Sequence, residues 1–369
     1  MLKTPLTSVA ALMGFASVSV ADVPKVATDI APVHSLVARV MQGVGEPGMV
    51  VPNGASPHHH SMRPSEALTL SQADVVFWIG EALTPWLEGP VDELATEAHV
   101  VELLELEGGV ALPFREGVGF EAHDHGDEEQ HDDDHHDAHE DHDDHGDDHD
   151  AHAEHEDHDR EAHAEAGHDH EEDHEEDHEE GHDDEHEGHD HAGHEGHDHE
   201  GLDPHVWLSP ENAMLWLDVI AAELSEHDVE NAATYAANAA AGKQELKEVK
   251  AEIKASLESV RDGGFVVFHD AYQYFEHSFG IYAAGAISLG DASDPSPARI
   301  AEIQQVVKQA QVSCVFSEPQ FNPDMVATVL EGSGAKTVVI DPLGAALEPG
   351  AGFYPALLKE LGAAMASCQ

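Results

Sequence analysis

The sequence predicts an α/β fold in two lobes interrupted by one long polar insertion, and three observations carry that expectation. The apolar pattern switches repeatedly between short β-rich runs and stretches of helical period, the signature of alternating strand and helix. A chain of 369 residues, 41% of them hydrophobic, suffices for two compact lobes. Residues 121–200, by contrast, hold 39 of the 76 acids and 24 of the 33 histidines, with Arg160 as their one base and almost no large apolar side chain. Such a segment cannot bury enough surface to offset the entropy of ordering, so a disordered loop is expected there.

Taken in order, residues 25–28 read as a strand leading into a helical stretch over 33–42, and 49–51 as another short strand. The segment 64–73 reads as a helix with Pro64 in its first turn, where a missing N–H costs nothing. DVVFWIG (74–80) is a continuous apolar run of buried-strand type, and 99–104 a further strand. After the insertion, Met214, Leu217, Ile220, Ala221 and Leu224 mark one face of a helix over 210–226. Residues 231–261 read as a long Ala- and Lys/Glu-rich helix with Leu246, Val249, Ile253 and Leu257 on one buried stripe. A second series follows, with strands near 265–268, 283–289, 312–316 and 337–340 and helices near 271–279, 297–309, 324–331 and 355–366. The expected division is 1–21 as a leader, 22–208 as a first lobe that includes the loop, 209–227 as a connecting helix and 228–369 as a second lobe.

The leader is read from Lys3, the small and apolar run 9–20, and Ser19-Val20-Ala21, a small-x-Ala cleavage pattern that starts the mature chain near Asp22. The same run is too short for a membrane anchor, since a span needs about 20 apolar residues. Export predicts an oxidising compartment. The two cysteines, Cys314 and Cys368, make one natural pair there, with two buried free thiols as the alternative. The formal net charge is −61, of which the insertion supplies 38 and the remainder about 23. Repulsion by that remainder argues against nucleic acid or anionic lipid as a partner.

Histidine is not needed for solvation, so its alternation with Asp and Glu in the insertion points to many weak, exchangeable imidazole–carboxylate metal sites. Outside the insertion nine histidines remain: His34, His58, His59, His60, His99, His205, His227, His269 and His277. Three settings stand out. His58 to His60 follow a Gly/Pro/Ser loop after a strand, His205 sits in Asp203-Pro204-His205 before a helix, and His269-Asp270 ends an apolar strand. Loops at strand ends are where open α/β sheets bind ligands. Three histidines and one further donor satisfy tetrahedral Zn²⁺, and Asp203 and Asp270 are spaced to orient the rings.

The strings GASPHHHSMRPSEA (54–67), DPHVWLSPENA (203–213), FHDAYQYFEHSFG (268–280), CVFSEPQF (314–321) and IDPLG (340–344) make the pattern specific. In that order they resemble the ZnuA-type zinc solute-binding proteins of bacterial ABC importers, the cluster A-I metal-binding family, and the central His/Asp/Glu loop is also characteristic of that type. The resemblance implies two Rossmann-like lobes joined by a long rigid helix, with a metal cleft between them. It assigns His58, His205 and His269 as ligands and matches Cys314 and Cys368 to the family's disulfide. Some members carry a glutamate donor just before the first ligand. Here that position is Pro57, which leaves Asp341, a water, His59 or His60 for the fourth place. Manganese-type relatives have a carboxylate where this chain has His269, and three imidazoles favour Zn²⁺ over Mn²⁺.

The resulting expectation is a monomeric, periplasmic, non-catalytic protein that captures Zn²⁺ and hands it to the membrane permease of an ABC importer. Three alternatives belong to other classes. A zinc hydrolase would need a general base, but outside the insertion no HExxH occurs and no glutamate has an evident general-base spacing to the ligands. A periplasmic zinc chaperone or buffer would share the same site, and a manganese or iron carrier would favour oxygen donors.

Overall fold

The computed structural model describes residues 23–115, 117, 119, 120, 201–260, 264–288 and 295–368. The leader 1–21 and the insertion 121–200 lie outside the described residues. What is described belongs to one compact unit built on two four-stranded parallel sheets.

The first sheet comprises β1 (Val26–Thr28), β2 (Gly48–Met49), β3 (Val75–Trp78) and β4 (His99–Glu102) in the order β2-β1-β3-β4. The second comprises β5 (Phe265–His269), β6 (Ala286–Ser288), β7 (Cys314–Ser317) and β8 (Lys336–Val339) in the order β6-β5-β7-β8. All pairs are parallel, with Val26 opposite Val75 and Phe265 opposite Cys314. Parallel strands require long crossovers. These are supplied in the first lobe by α1 (Ala31–Val40), α2 (Pro64–Ser71) and α3 (Glu88–Leu94), and in the second by α6 (Gln273–Phe279), α7 (Pro297–Gln309) and α8 (Pro323–Leu330).

Side chains alternate across each sheet with period two, which explains how one apolar run serves two cores. Phe265 and Val267 point into the same core as Val75, Phe77, Leu217, Ile253 and Leu357, while Val266 and Phe268 pack on the opposite face with Ile303 and Val329. Val76 and Trp78 face a third cluster with Leu70 and Val91. The edge strands β4 and β8 are largely exposed, so their apolar signal is weaker.

Between the sheets along the chain lie α4 (Pro210–His227) and α5 (Ala232–Leu257). Ser209 caps α4, its hydroxyl accepting from the Asn212 amide, with Pro210 at the first helical position. The 26 residues of α5, about 39 Å at 1.5 Å per residue, bury Tyr235, Ala239, Gly242, Leu246, Val249, Ile253 and Leu257 on one stripe. Two glycines allow close approach here. A Cβ on Gly242 would meet Leu217 Cδ1 of α4 at 3.0 Å, and one on Gly362 of α9 (Phe353–Ala366) would meet Ile253 Cγ2 at 2.9 Å. The chain returns to the first lobe at its end: Ser35 Oγ donates to the Gly350 carbonyl at 2.7 Å and Asn53 Nδ2 to the Leu347 carbonyl at 2.9 Å.

Three sequence expectations need correction. The long helix stops at Leu257 rather than 261, and β6 begins at Ala286 rather than 283. Helix α3 was not among the expected elements; its Gly89-Pro90 pair falls in the first turn, where Pro is tolerated. Cys314 and Cys368 are joined as a disulfide that ties β7 to the end of α9. Among the described residues no helix is long and apolar enough to cross a membrane.

Candidate metal centre

His58, His205 and His269 converge, each offering a ring nitrogen within 4.8 Å of the others. Their ring centroids are 5.7 Å apart for His58 and His205, 6.3 Å for His58 and His269, and 4.8 Å for His205 and His269. A tetrahedral ion with bonds of about 2.0–2.1 Å holds its donors about 3.3 Å apart, so a small inward movement of the rings completes the set.

Each histidine is fixed by a different device. His58 lies in the loop beyond β2, and the Trp86 indole N–H donates to the Pro57 carbonyl at 2.6 Å, anchoring the backbone one residue earlier. His205 is buried at the start of a 3₁₀ turn (Val206–Leu208). One oxygen of Asp203 accepts from both its backbone N–H, at 2.9 Å, and its Nδ1, at 2.7 Å. That assigns the proton to Nδ1 and the lone pair to Nε2, the usual device for orienting a metal-binding imidazole. His269 is the buried last residue of β5, and its Nδ1 lies 3.6 Å from Oε1 of Glu318, which follows β7 and is itself buried.

Around these rings sits a buried ionic cluster. Arg115 Nε donates to Asp270 Oδ1 at 3.0 Å, Nη1 to Glu276 Oε2 at 2.7 Å, and Nη2 bonds to both carboxylates. Its guanidinium also stacks 3.9 Å over the Phe120 ring. Burial pushes Asp270 up to about 6 although Arg115 pulls it down, and burial likewise pushes Asp203 up to about 7 against the His205 amide and Arg115. The two arms of the insertion meet beside the site. Pro113 bridges Leu202 and the Asp203 amide donates to the Leu112 carbonyl at 2.8 Å, two residues before His205, while Gly119 bridges Gly285.

The other expected candidates are placed elsewhere. His60 Nε2 is 2.8 Å from Glu66 Oε2, a carboxylate that also accepts from the Arg63 amide, and His59 is exposed. Asp341 stands outside the converging set: Oδ1 accepts the amides of Leu343 at 2.9 Å and Gly344 at 3.0 Å, and Oδ2 that of Ala345 at 2.7 Å. Two participants escaped sequence reasoning. Glu318 was visible as a carboxylate directly after the apolar run CVFS, and Arg115 as the single base between Arg63 and Arg160.

Two parallel-sheet lobes and a histidine triad at their strand ends define a metal-binding solute-binding protein. The family model described as zinc-uptake complex component A, periplasmic (ZnuA) matches residues 26–368, and the chain belongs to that family. It is 41% identical over 358 residues to the high-affinity zinc uptake system protein ZnuA of Brucella abortus (strain 2308), covering 97% of this chain and 95% of that one. The protein of the same description from Paracoccus denitrificans (strain Pd 1222) is 40% identical over 370 residues, covering 100% and 99%. A crystal structure of ZnuA superposes with a TM-score of 0.63 over 94% of this chain and 99% of the other at 19% identity, a likeness of fold.

Proposed function

We propose that this chain captures Zn²⁺ outside the cytoplasmic membrane and delivers it to the permease of an ABC-type zinc importer, acting as a monomer after removal of residues 1–21. The observation that carries this reading is the convergence of His58, His205 and His269 from three separate strand-end loops, with Asp203 setting the His205 tautomer. Neutral imidazoles match Zn²⁺ better than Mn²⁺. Binding without catalysis fits the neighbouring carboxylates: Asp203 is engaged by His205 and Asp270 by Arg115, so neither is placed as a general base on a metal-bound water. The fourth donor in this reading is Asp341 or a water held by it. Oδ2 of Asp341 accepts one amide, that of Ala345, which leaves it a lone pair for the ion or the water. The lobes are taken as 22–208 and 228–369, with 209–227 connecting them.

Zinc titration of the full chain against a chelator strong enough to strip weak sites tests the assignment. His58→Ala, His205→Ala and His269→Ala are each expected to lower the tight affinity by more than about 100-fold, because losing a group that merely orients a ligand already costs 10- to 100-fold. Parental titrations in all three variants would put the site elsewhere. In Asp341→Asn, an unchanged affinity and X-ray absorption spectrum would rule out a direct carboxylate bond.

A further inference from the structure

We propose that His99, Glu223 and His227 form a second Zn²⁺ site, separate from the cleft, at the opposite end of the first sheet. His99 opens β4, and its amide pairs with the Asp74 carbonyl just before β3, so it lies at the amino end of the strands. The cleft histidines lie beyond carboxyl ends. Glu223 and His227 are four residues apart on α4 and therefore share a helix face.

The three side chains converge on one atom. Glu223 Oε1 is 2.5 Å from His99 Nδ1 and 3.1 Å from His227 Nε2, and one donor atom from each residue lies within 4.8 Å of the other two. The two rings are tilted by 32° to one another with centroids 6.4 Å apart. Two imidazole nitrogens and one carboxylate oxygen make a set for zinc and its borderline neighbours, and a poor one for Ca²⁺ or Mg²⁺, which take oxygen donors.

Occupancy requires little rearrangement. Each neutral ring moves its N–H proton to the other nitrogen, freeing a lone pair for the ion with no net proton lost. The donors then spread to the roughly 3.3 Å separation of a tetrahedral shell. The His99 and His227 side chains are 60% and 33% exposed, which leaves room for entry and for water as the fourth ligand. Glu223 is only 11% exposed, so its carboxylate is held in place. The formal charge of −61 raises the cation concentration at any such surface site. This inference does not rest on the cleft reading.

The same contacts would also pin the end of α4 to β4 without any metal, and the experiment separates the two roles. Full-length protein is titrated with Zn²⁺ and treated with diethylpyrocarbonate, which acylates unprotonated, accessible imidazole nitrogen, and each histidine is read by peptide mass spectrometry. His99 and His227 are expected to lose reactivity together at one zinc concentration, and Ca²⁺ to leave both unchanged. Glu223→Gln keeps the volume and an acceptor oxygen but removes the charge. It is expected to raise the zinc concentration for half-protection of both by about tenfold or more, with His58 unaffected. Should that variant fail to fold, His99→Gln at the exposed ring asks the same of His227. Zinc-independent reactivity of His99, protection of one histidine without the other, or the same half-protection in the variant as in the parent overturns the proposal.

Discussion

The two lobes repeat one strand order and use it differently. In each, the first strand of the series lies between the second and the third, so equivalent backbone groups emerge at the carboxyl ends of the two middle strands. In the first lobe that place is closed by Asp29, whose two oxygens accept the amides of Ile30 and Ile79 at 2.7 Å each. In the second lobe β5 ends on His269, and the carboxylates there, Glu318 after β7 and Asp270 after β5, face that imidazole and the Arg115 guanidinium instead. A carboxylate that satisfies backbone amides holds a fold together, whereas one that meets another side chain can set its orientation or charge. The first lobe contributes its member of the histidine triad, His58, from a loop beyond the edge strand β2 instead.

That contrast is most exposed at Arg115. It comes from the arm that leaves the first lobe and neutralises two buried carboxylates of the second, Asp270 and Glu276. Arg115→Met keeps the stem packing but strands both acids, and breaking a buried pair on one side costs about 3–5 kcal/mol. Urea unfolding is expected to show a loss of that size. A loss below about 1 kcal/mol would mean that the cluster is as well solvated as a surface pair, and that the second lobe's polar strand ends carry no special weight.

The disulfide sharpens the same comparison, since it belongs to the second lobe alone. Cys314 and Cys368 are separated by 54 residues, and in the chain-entropy account closing such a loop contributes about 4 kcal/mol. Replacing both with Ser is expected to lower stability by up to that amount while leaving the ligands in place. Equal zinc affinity with a lowered unfolding midpoint would separate lobe stability from site geometry. Loss of the tight site would show that β7, which carries Glu318 at its end, depends on the bond for its position.

Local pattern made much of this legible. VVFW and FVVFH are fully buried strands, and continuous apolar runs of that length are what a sheet covered on both faces requires. The stripe Leu246, Val249, Ile253 and Leu257 was readable from spacing alone; the three loops stood out by their local composition, and the choice of His58, His205 and His269 within them came with the family resemblance. What stayed hidden depends on partners distant in the chain. Arg115 meets Asp270 across 155 residues, and nothing local distinguishes it from a surface base except its isolation among acids. Glu318 reads as a turn residue until β5 brings His269 beside it. Asp341, the carboxylate matched by motif, also accepts amides of its own turn, a second role that the motif does not announce.

The smallest expected effect tests the first-lobe half of the comparison. Burial pushes the Asp29 carboxyl up to about 7 although the Ile79 and Ile30 amides pull it down. In the unfolded chain such a group titrates near 3.9, so folding raises its affinity for the proton. Its contribution to stability is therefore fully present below about pH 4 and is lost as the pH rises through about 7. Asp29→Asn removes the titration, and the stability of the variant is expected to vary less than the parent's between those limits. At neutral pH two effects offset. The variant avoids burying a charge, but the Asn amide group that replaces one carboxylate oxygen cannot accept the backbone N–H which that oxygen served, and an unmade hydrogen bond costs about 1 kcal/mol or somewhat more. A net change within about 1 kcal/mol at pH 7 is expected, read from urea midpoints across the acid range. Zinc affinity should not move, because this carboxylate touches only backbone. A fall in zinc affinity in Asp29→Asn would break the comparison, since it would make the closed strand end of the first lobe part of the site that the second lobe was taken to build.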